Sequence, residues 1–469
     1  MTFSTLLFLF LFLPFTLVFI YGLKPSYRNV GLLLASLFFY IWGEHTFVFL
    51  LLTSIITNFV FGKWIESPGK YFSSKFVLIL CIVFNLSLII YFKYFNFLSE
   101  NINSLLSFFH FNITNAPQNI ILPIGLSFFT FQNISYAADV YWKKIKPENR
   151  LINYALYISF FPHLVAGPIV RYADIAEDLT NRTLQYPWIV SGIKRFIIGL
   201  SKKVLVANVL AYVANEIFKL PQDNLNTPLA WLAIITYTLQ IYFDFSGYSD
   251  MAIGLSRMFG FNFHENFNYP YISKSFTEFW RRWHISLSLW FRDYVYIPLG
   301  GNRKGEFRLF LNLITVFFLT GLWHGASWNF IVWGMIHGFF MLLERIVNIE
   351  KRLGKIFSHV YFIFLLMITW VFFRIEDFDN AIGFISHLFE ISGQSDMYSV
   401  YYFLTPEVIF ILFIGIIFST PLLVIADNKF KIRERINPHL VNIVYIVLLL
   451  LSIMGLSAGT YNPFIYSRF

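Results

Sequence analysis

The chain has 469 residues, 57 % of them hydrophobic and only 13 % charged, and its mean hydropathy is +0.62. A soluble domain would carry about a quarter charged residues, so composition excludes an ordinary soluble enzyme; the net charge of +9 is read through loop positions and not as a nucleic-acid signal. Hydrophobic runs long enough to cross a bilayer recur along the whole chain, which makes lipid the fold-setting solvent and the protein an all-α polytopic membrane protein.

The first run, residues 3–21, has neither a basic leading segment nor a small-residue cleavage site, and reads as a retained first helix. The single cysteine, Cys81, lies in the apolar run FVLILCIVFN; it excludes an internal disulfide and argues against a thioester carried on this chain. Basic residues mark alternate loops: Lys24 and Arg28; Lys63, Lys70 and Lys75; Lys143, Lys144, Lys146 and Arg150; the crowded stretch 281–308; then 345–355 and 429–435. Between them lie basic-poor loops at 43–45 and 99–119 and an acidic loop at 376–396. Assigning the basic loops to the cytoplasm places the N-terminus and the acidic loop outside, with about eleven spans. Charges interrupt lipid-length runs at 171–186 and 194–203, a pattern expected of re-entrant or interfacial segments covered by protein.

Five segments carry polar groups in apolar surroundings. In LPIGLSFFTFQNISYAADVYW (122–142), Gln132 and Asp139 read as glue between helices. In FPHLVAGPIVRY (161–172), His163 and Arg171 flank a Gly167–Pro168 pair that interrupts a helix. In LQIYFDFSGYSDMAIGLSRMFGF (239–261), Asp244 and Asp250 would point to different faces of a continuous helix. Ser246, Gly247 and Ser249 between them suggest a break, and the carboxylates read as partners of buried Arg and His residues ahead of proton relays.

The fourth segment, FTEFWRRWHISLSLWFRDYVYIPLGGNRKG (276–305), spaces Trp280, Trp283, Trp290 and Phe291 as on a helix lying in the cytoplasmic interface. Arg281, Arg282, His284, Arg292 and Asp293 fall among them, and a glycine turn follows with Arg303 and Lys304. Anchoring by aromatics and snorkelling arginines is one reading. A basic mouth for an anionic, phosphate-bearing donor, held by Arg281, Arg282, Arg292, Arg303 and Lys304, is the other. The glycine spacing is not that of a nucleotide-binding loop.

The fifth, TGLWHGASWN (320–329), puts His324 inside the membrane among Gly321, Gly325 and Ala326, small residues that allow close approach. Two readings stand level: a core histidine bonded to a neighbouring helix, or a general base, for which neutral imidazole is best matched near pH 7. His284 and His324 form no short-range ligand pattern, so no metal is expected.

Together these five segments resemble the membrane-bound O-acyltransferase (MBOAT) family, in the branch of the bacterial alginate and peptidoglycan O-acetyltransferase membrane proteins. The likeness is detailed over 122–338. The related D-alanyl transfer proteins of teichoic-acid modification share RWHIS, FRDY and WHG, but the PLGGNRKG continuation points away from them. The resemblance implies an MBOAT-type helical core with re-entrant or interfacial helices around a central tunnel. It further implies one integral membrane domain, with a motif-bearing core at 122–338 and peripheral helices at 1–98 and 357–469.

By the same resemblance His324 is the catalytic histidine, and His284 sits nearer the cytoplasmic mouth, where acetyl-CoA presents its thioester. Acetyl groups then cross the bacterial cytoplasmic membrane to an extracytoplasmic O-acetyltransferase partner that modifies an envelope polysaccharide; membrane lipids surround the chain. In chemical terms His324 takes a proton from an acceptor hydroxyl that attacks the acetyl carbonyl, with Trp323, Ser327 and Asn329 as candidate oxyanion donors. An acetyl-histidine intermediate is an alternative route. The competing functions are transfer of D-alanyl or another acyl group, and secondary transport, against which stands the lack of internal symmetry. An AT-rich residue usage leans towards peptidoglycan over alginate.

Overall fold

The computed structural model describes residues 2–110, 120–390 and 398–459. Residues 111–119 and 391–397, which take in parts of the loops 99–119 and 376–396 with Asp396, lie outside the described residues. Every regular element among the described residues is a helix, as lipid requires of a chain that must satisfy each backbone group internally. Seven of these helices are long and apolar enough to cross a membrane, or up to eight if the bent pair Pro406–Phe418 and Leu422–Phe430 counts as one span. The hydrophobic runs led to about eleven. The difference lies in elements such as Phe8–Gly22 and Arg28–Gly43, which are short, and Thr227–Met258, which is long but studded with polar residues.

That last helix is the axis of the fold. It runs unbroken for 32 residues, and almost every residue from Leu229 to Met258 is buried. The break suggested by Ser246, Gly247 and Ser249 is therefore absent. The small residues serve a helix crossing instead: a Cβ on Gly199 would lie 2.5 Å from the carbonyl of Gly247, and one on Gly254 would lie 2.6 Å from the carbonyl of Gly192. Such glycine contacts let two backbones touch in a solvent that offers helices no hydrophobic drive to associate. Gly199→Val is accordingly expected to destabilise the protein by about 1–3 kcal/mol through overpacking, visible as a lower melting temperature in detergent; an unchanged melting point would mean that the crossing is loose.

The partner in this crossing is Tyr186–Phe218, 33 residues long and a candidate span. The charges at 194–203 do not make it re-entrant, because Thr227–Met258 supplies counter-charges. Lys203 pairs with Asp244 at 2.7 Å, both side chains almost fully buried; Arg195 and Lys202 pair with Asp250 at 2.6 and 2.7 Å. Pairing of the two aspartates with cations is thus what the fold contains.

The stretch 276–305 departs most from expectation. It is not one interfacial helix but three short pieces, Phe276–Trp280, Ile285–Phe291 and the widened turn Arg292–Tyr296. Trp280, Trp283, Trp290 and Phe291 are all buried, so they pack the protein core and do not anchor it to lipid headgroups. The periodicity was shared by two helices that meet at a break. At the N-terminal end, Phe3 is fully buried and stacks on Tyr248 at 4.6 Å, so the first run is tied into the centre of the fold.

Candidate active site

His324 is the last residue of the helix Glu306–His324, which at about 1.5 Å per residue nearly matches a hydrocarbon layer about 30 Å thick. The chain then turns through an extended Gly325 into Trp328–Val347. The two helices form a tight hairpin: a Cβ on Gly321 would lie 2.4 Å from the carbonyl of Phe330, and one on Gly334 would lie 2.3 Å from that of Phe317. Gly325 also has no room for a side chain, since a Cβ there would meet the Phe330 ring at 2.2 Å. His324 is 1 % exposed, with the rings of Trp323, Trp333 and Phe373 at 4.9, 4.9 and 5.1 Å between centroids.

His284 reaches the same place from the broken segment. It adopts the left-handed conformation (φ 42°, ψ 55°) just before Ile285–Phe291, a strained choice for a residue with a Cβ. Asn266 holds that turn: its carbonyl accepts from the Ile285 N–H at 3.0 Å, and its Oδ1 accepts from the Ser286 N–H at 3.2 Å and hydroxyl at 2.9 Å. The same Oδ1 lies 3.2 Å from His284 Nδ1. An amide oxygen only accepts, so Nδ1 carries the proton and Nε2 is the basic nitrogen. Asn266 Nδ2 donates to Ser249 on the central helix at 3.0 Å.

Both histidines border the indole of Trp323, its ring 5.8 Å from His284 and 4.9 Å from His324. Its Nε1 is buried without a hydrogen-bond partner among the described residues. Phe128 and Phe131 close on this indole at 5.7 and 5.8 Å, and Phe131 stacks on Trp290 at 3.8 Å. Of the other candidate oxyanion donors, Ser327 Oγ is buried and unpartnered among the described residues, whereas Asn329 Nδ2 donates to the Ile375 carbonyl at 2.6 Å.

The basic residues divide into two groups. Arg282 is bound to Glu278 at 2.9 Å and to the Asn268 carbonyl at 3.1 Å, and Arg292 to Asp293 at 2.6 Å. Arg281, Arg303 and Lys304 are exposed. Burial alone would raise the Asp293 carboxyl, but hydrogen bonds from Arg292 and Arg171 hold it below the usual carboxylate range, so it stays ionised and fixes both guanidinium groups. Gln132 donates to the carbonyl of Val170 in the non-helical stretch before Tyr172, and Asp139 accepts from the Tyr294 hydroxyl at 2.7 Å and pairs with Lys144, so Asp139 ties two helical elements and Gln132 ties its helix to a connecting segment. His163 bonds to the Tyr157 carbonyl at 2.8 Å. No group of three His, Cys, Asp or Glu among the described residues is arranged to hold a metal.

Three contributors escaped the sequence reading. His337 lies behind Trp333, 4.6 Å away. Its Nδ1 accepts from Trp280 Nε1 at 3.2 Å and its Nε2 faces Thr369 Oγ1 at 3.1 Å, while the Thr369 proton goes to the Leu366 carbonyl. Both nitrogens are thereby committed, so His337 props the site and is no base. Lys93 and Tyr94 donate to the carbonyls of Trp323 and Leu322. The same signal existed for Lys93 and His337, an ionisable side chain in a lipid-length run; what could not be read was the partner of each, which is distant in the chain.

Comparison with known proteins identifies the family. The family model described as MBOAT, membrane-bound O-acyltransferase family, matches residues 148–352. A probable alginate O-acetylase of Azotobacter vinelandii is 44 % identical over 387 residues, covering 81 % of this chain and 76 % of its own. One from Pseudomonas putida is 38 % identical over 500 aligned positions that take in the whole of both chains. A peptidoglycan O-acetyltransferase of Helicobacter pylori is 36 % identical over 430, covering 84 % of this chain and 80 % of its own. A many-helix membrane fold, two buried histidines facing one indole and full-length relatives of this kind together mean that the chain belongs to the membrane-bound O-acyltransferase family and is a multi-pass membrane acyltransferase.

Proposed function

We propose that this protein moves acetyl groups from cytoplasmic acetyl-CoA across the bacterial cytoplasmic membrane for O-acetylation of an envelope polysaccharide of the alginate or peptidoglycan type, through an extracytoplasmic O-acetyltransferase partner. The observation that carries the proposal is the approach of both His284 and His324 to the one Trp323 indole in a buried site. Relatives named for O-acetyl transfer to alginate and peptidoglycan support the choice of group and acceptor.

In this reading His324 removes the proton of an acceptor hydroxyl as its oxygen attacks the thioester carbonyl. The C–O bond forms, the C–S bond breaks, and the departing thiolate of coenzyme A takes up the proton that His324 removed, which restores the neutral imidazole as the thiol leaves towards the cytoplasm. His284, held as the Nδ1–H tautomer by Asn266, lines the donor side. The unpartnered Trp323 Nε1 is the donor best suited to the developing oxyanion, because it is buried and already oriented. The whole chain acts as one membrane unit around the segment 122–338.

The phosphates of the donor meet Arg281, Arg303 and Lys304, with Arg282 and Arg292 braced beside them by Glu278 and Asp293. Neutralising Arg303 and Lys304 together is expected to raise KM for acetyl-CoA by about tenfold with little change in kcat, since exposed charge contacts act on ground and transition states alike; a changed kcat at constant KM would place the donor site elsewhere.

The test of the function is base-labile acetate on purified envelope polymers from a deletion strain and its complemented parent. Loss in the deletion and return on complementation is expected, and the sugar that loses acetate is the acceptor. Unchanged acetate in the deletion strain overturns the reading and favours D-alanyl transfer or transport.

A further inference from the structure

Within the candidate span Ser74–Phe108, the turn Ile90–Tyr94 is widened into π geometry. Consecutive side chains leave an α-helix about 100° apart, yet here two neighbours reach one target. Lys93 Nζ donates to the carbonyl of Trp323, and the Tyr94 hydroxyl to the carbonyl of Leu322. Both carbonyls belong to the last turn of Glu306–His324, where no intrahelical N–H remains for them. The Gly321 carbonyl one step earlier is met by the Gly325 N–H at 3.4 Å. A cation here also faces the negative end of the helix dipole.

Lys93 Nζ lies 5.8 Å from the centroid of the Trp323 ring, within reach of a cation–π attraction, and that ring is the one both His284 and His324 border. No other Asp, Glu, Lys, Arg or His occurs between Lys75 and Glu100. A charge placed in a lipid-length run is costly, which makes function its default reading. Packing gives it a specific task. After His324 the chain leaves the helix at once through an extended Gly325, so nothing downstream in the same helix holds the histidine.

We propose that Lys93 is a positioning residue for acyl transfer. Its ammonium group, docked on the Trp323 carbonyl with Tyr94 beside it, fixes the helix end that presents Trp323 and His324. The inference rests on His324 being the base, as proposed above. It also means that the site is incomplete within the family-matched segment 148–352, because the clamp comes from a helix that precedes it.

The test uses full-length protein in inside-out membrane vesicles, with acetyl-CoA as the probe and coenzyme A release as the rate. Lys93→Met is expected to lower kcat per molecule in the membrane by at least about tenfold at unchanged KM for acetyl-CoA, since small displacements of reacting groups cost about a hundredfold. Lys93→Arg, which keeps the charge and the donor, is expected to stay within about threefold of wild type. A merely structural lysine would change the amount of protein but not kcat per molecule. Should Lys93→Met fail to accumulate, Tyr94→Phe, which removes the adjacent bond with one oxygen atom, carries the test through the same split.

Wild-type kcat in Lys93→Met, or in Tyr94→Phe standing in for it, overturns the inference, as does a Lys93→Arg variant as impaired as Lys93→Met. If His324→Ala turns over normally, the assignment of the base fails and this inference with it. If His324→Ala is inactive while Lys93→Met is not, the role of Lys93 alone fails.

Discussion

Replacing His324 with alanine is expected to cut acyl transfer by at least about a hundredfold, the lower end of what a positioned general base contributes, with protein still in the membrane at normal level. The measurement is base-labile acetate on the envelope polymer, normalised to the amount of chain in the membrane. Normalisation matters because the imidazole packs against Trp323, Trp333 and Phe373, and its removal leaves a cavity. His284→Ala supplies the contrast: His284 is tied to Asn266, so its loss should disturb the turn at Ile285 and the donor side of the site. Acetate retained in His324→Ala but lost in the deletion strain would leave the export function standing and move the base to another group.

The second large effect concerns the ion pair Lys203–Asp244, 2.7 Å apart with side chains 3 % and 2 % exposed. Removing one partner, as in Asp244→Leu, leaves a charge in a low-dielectric interior and is expected to cost about 3–5 kcal/mol. In a membrane protein this shows as a sharply lower melting temperature in detergent and reduced accumulation. Replacing both, Lys203→Met with Asp244→Leu, should recover most of that stability, because two apolar side chains pay no desolvation penalty. A double variant that folds and acetylates normally establishes the pair as structural. One that folds but has lost activity would return Asp244 to the role of a proton carrier.

Much of this molecule was legible before any coordinates. Lipid as solvent followed from composition, and the five polar segments in order marked the family. His284 and His324 were picked out by chemistry and motif, and both prove to border one indole. Local pattern misled where two short elements imitate one long one. The tryptophans of 276–305 recur at helical spacing, yet a left-handed His284 splits the helix and turns them inward. It misled again at Ser246–Gly247–Ser249, where the helix continues and Gly247 permits a backbone crossing.

The class of fold, the solvent and the candidate site residues were matters of one-dimensional pattern, because hydropathy, charge and residue chemistry are properties of single residues and short windows. The neutralising of Lys202 and Lys203, the commitment of both His337 nitrogens and the clamp of Lys93 on Trp323 were decided only when helices packed. Each depends on a partner 32 to 230 positions away, and no local period encodes such a distance. In lipid, an unmet carbonyl or charge is too costly to leave without a partner. Tertiary packing therefore chose which distant residue answers each one, and in doing so set the geometry around His324.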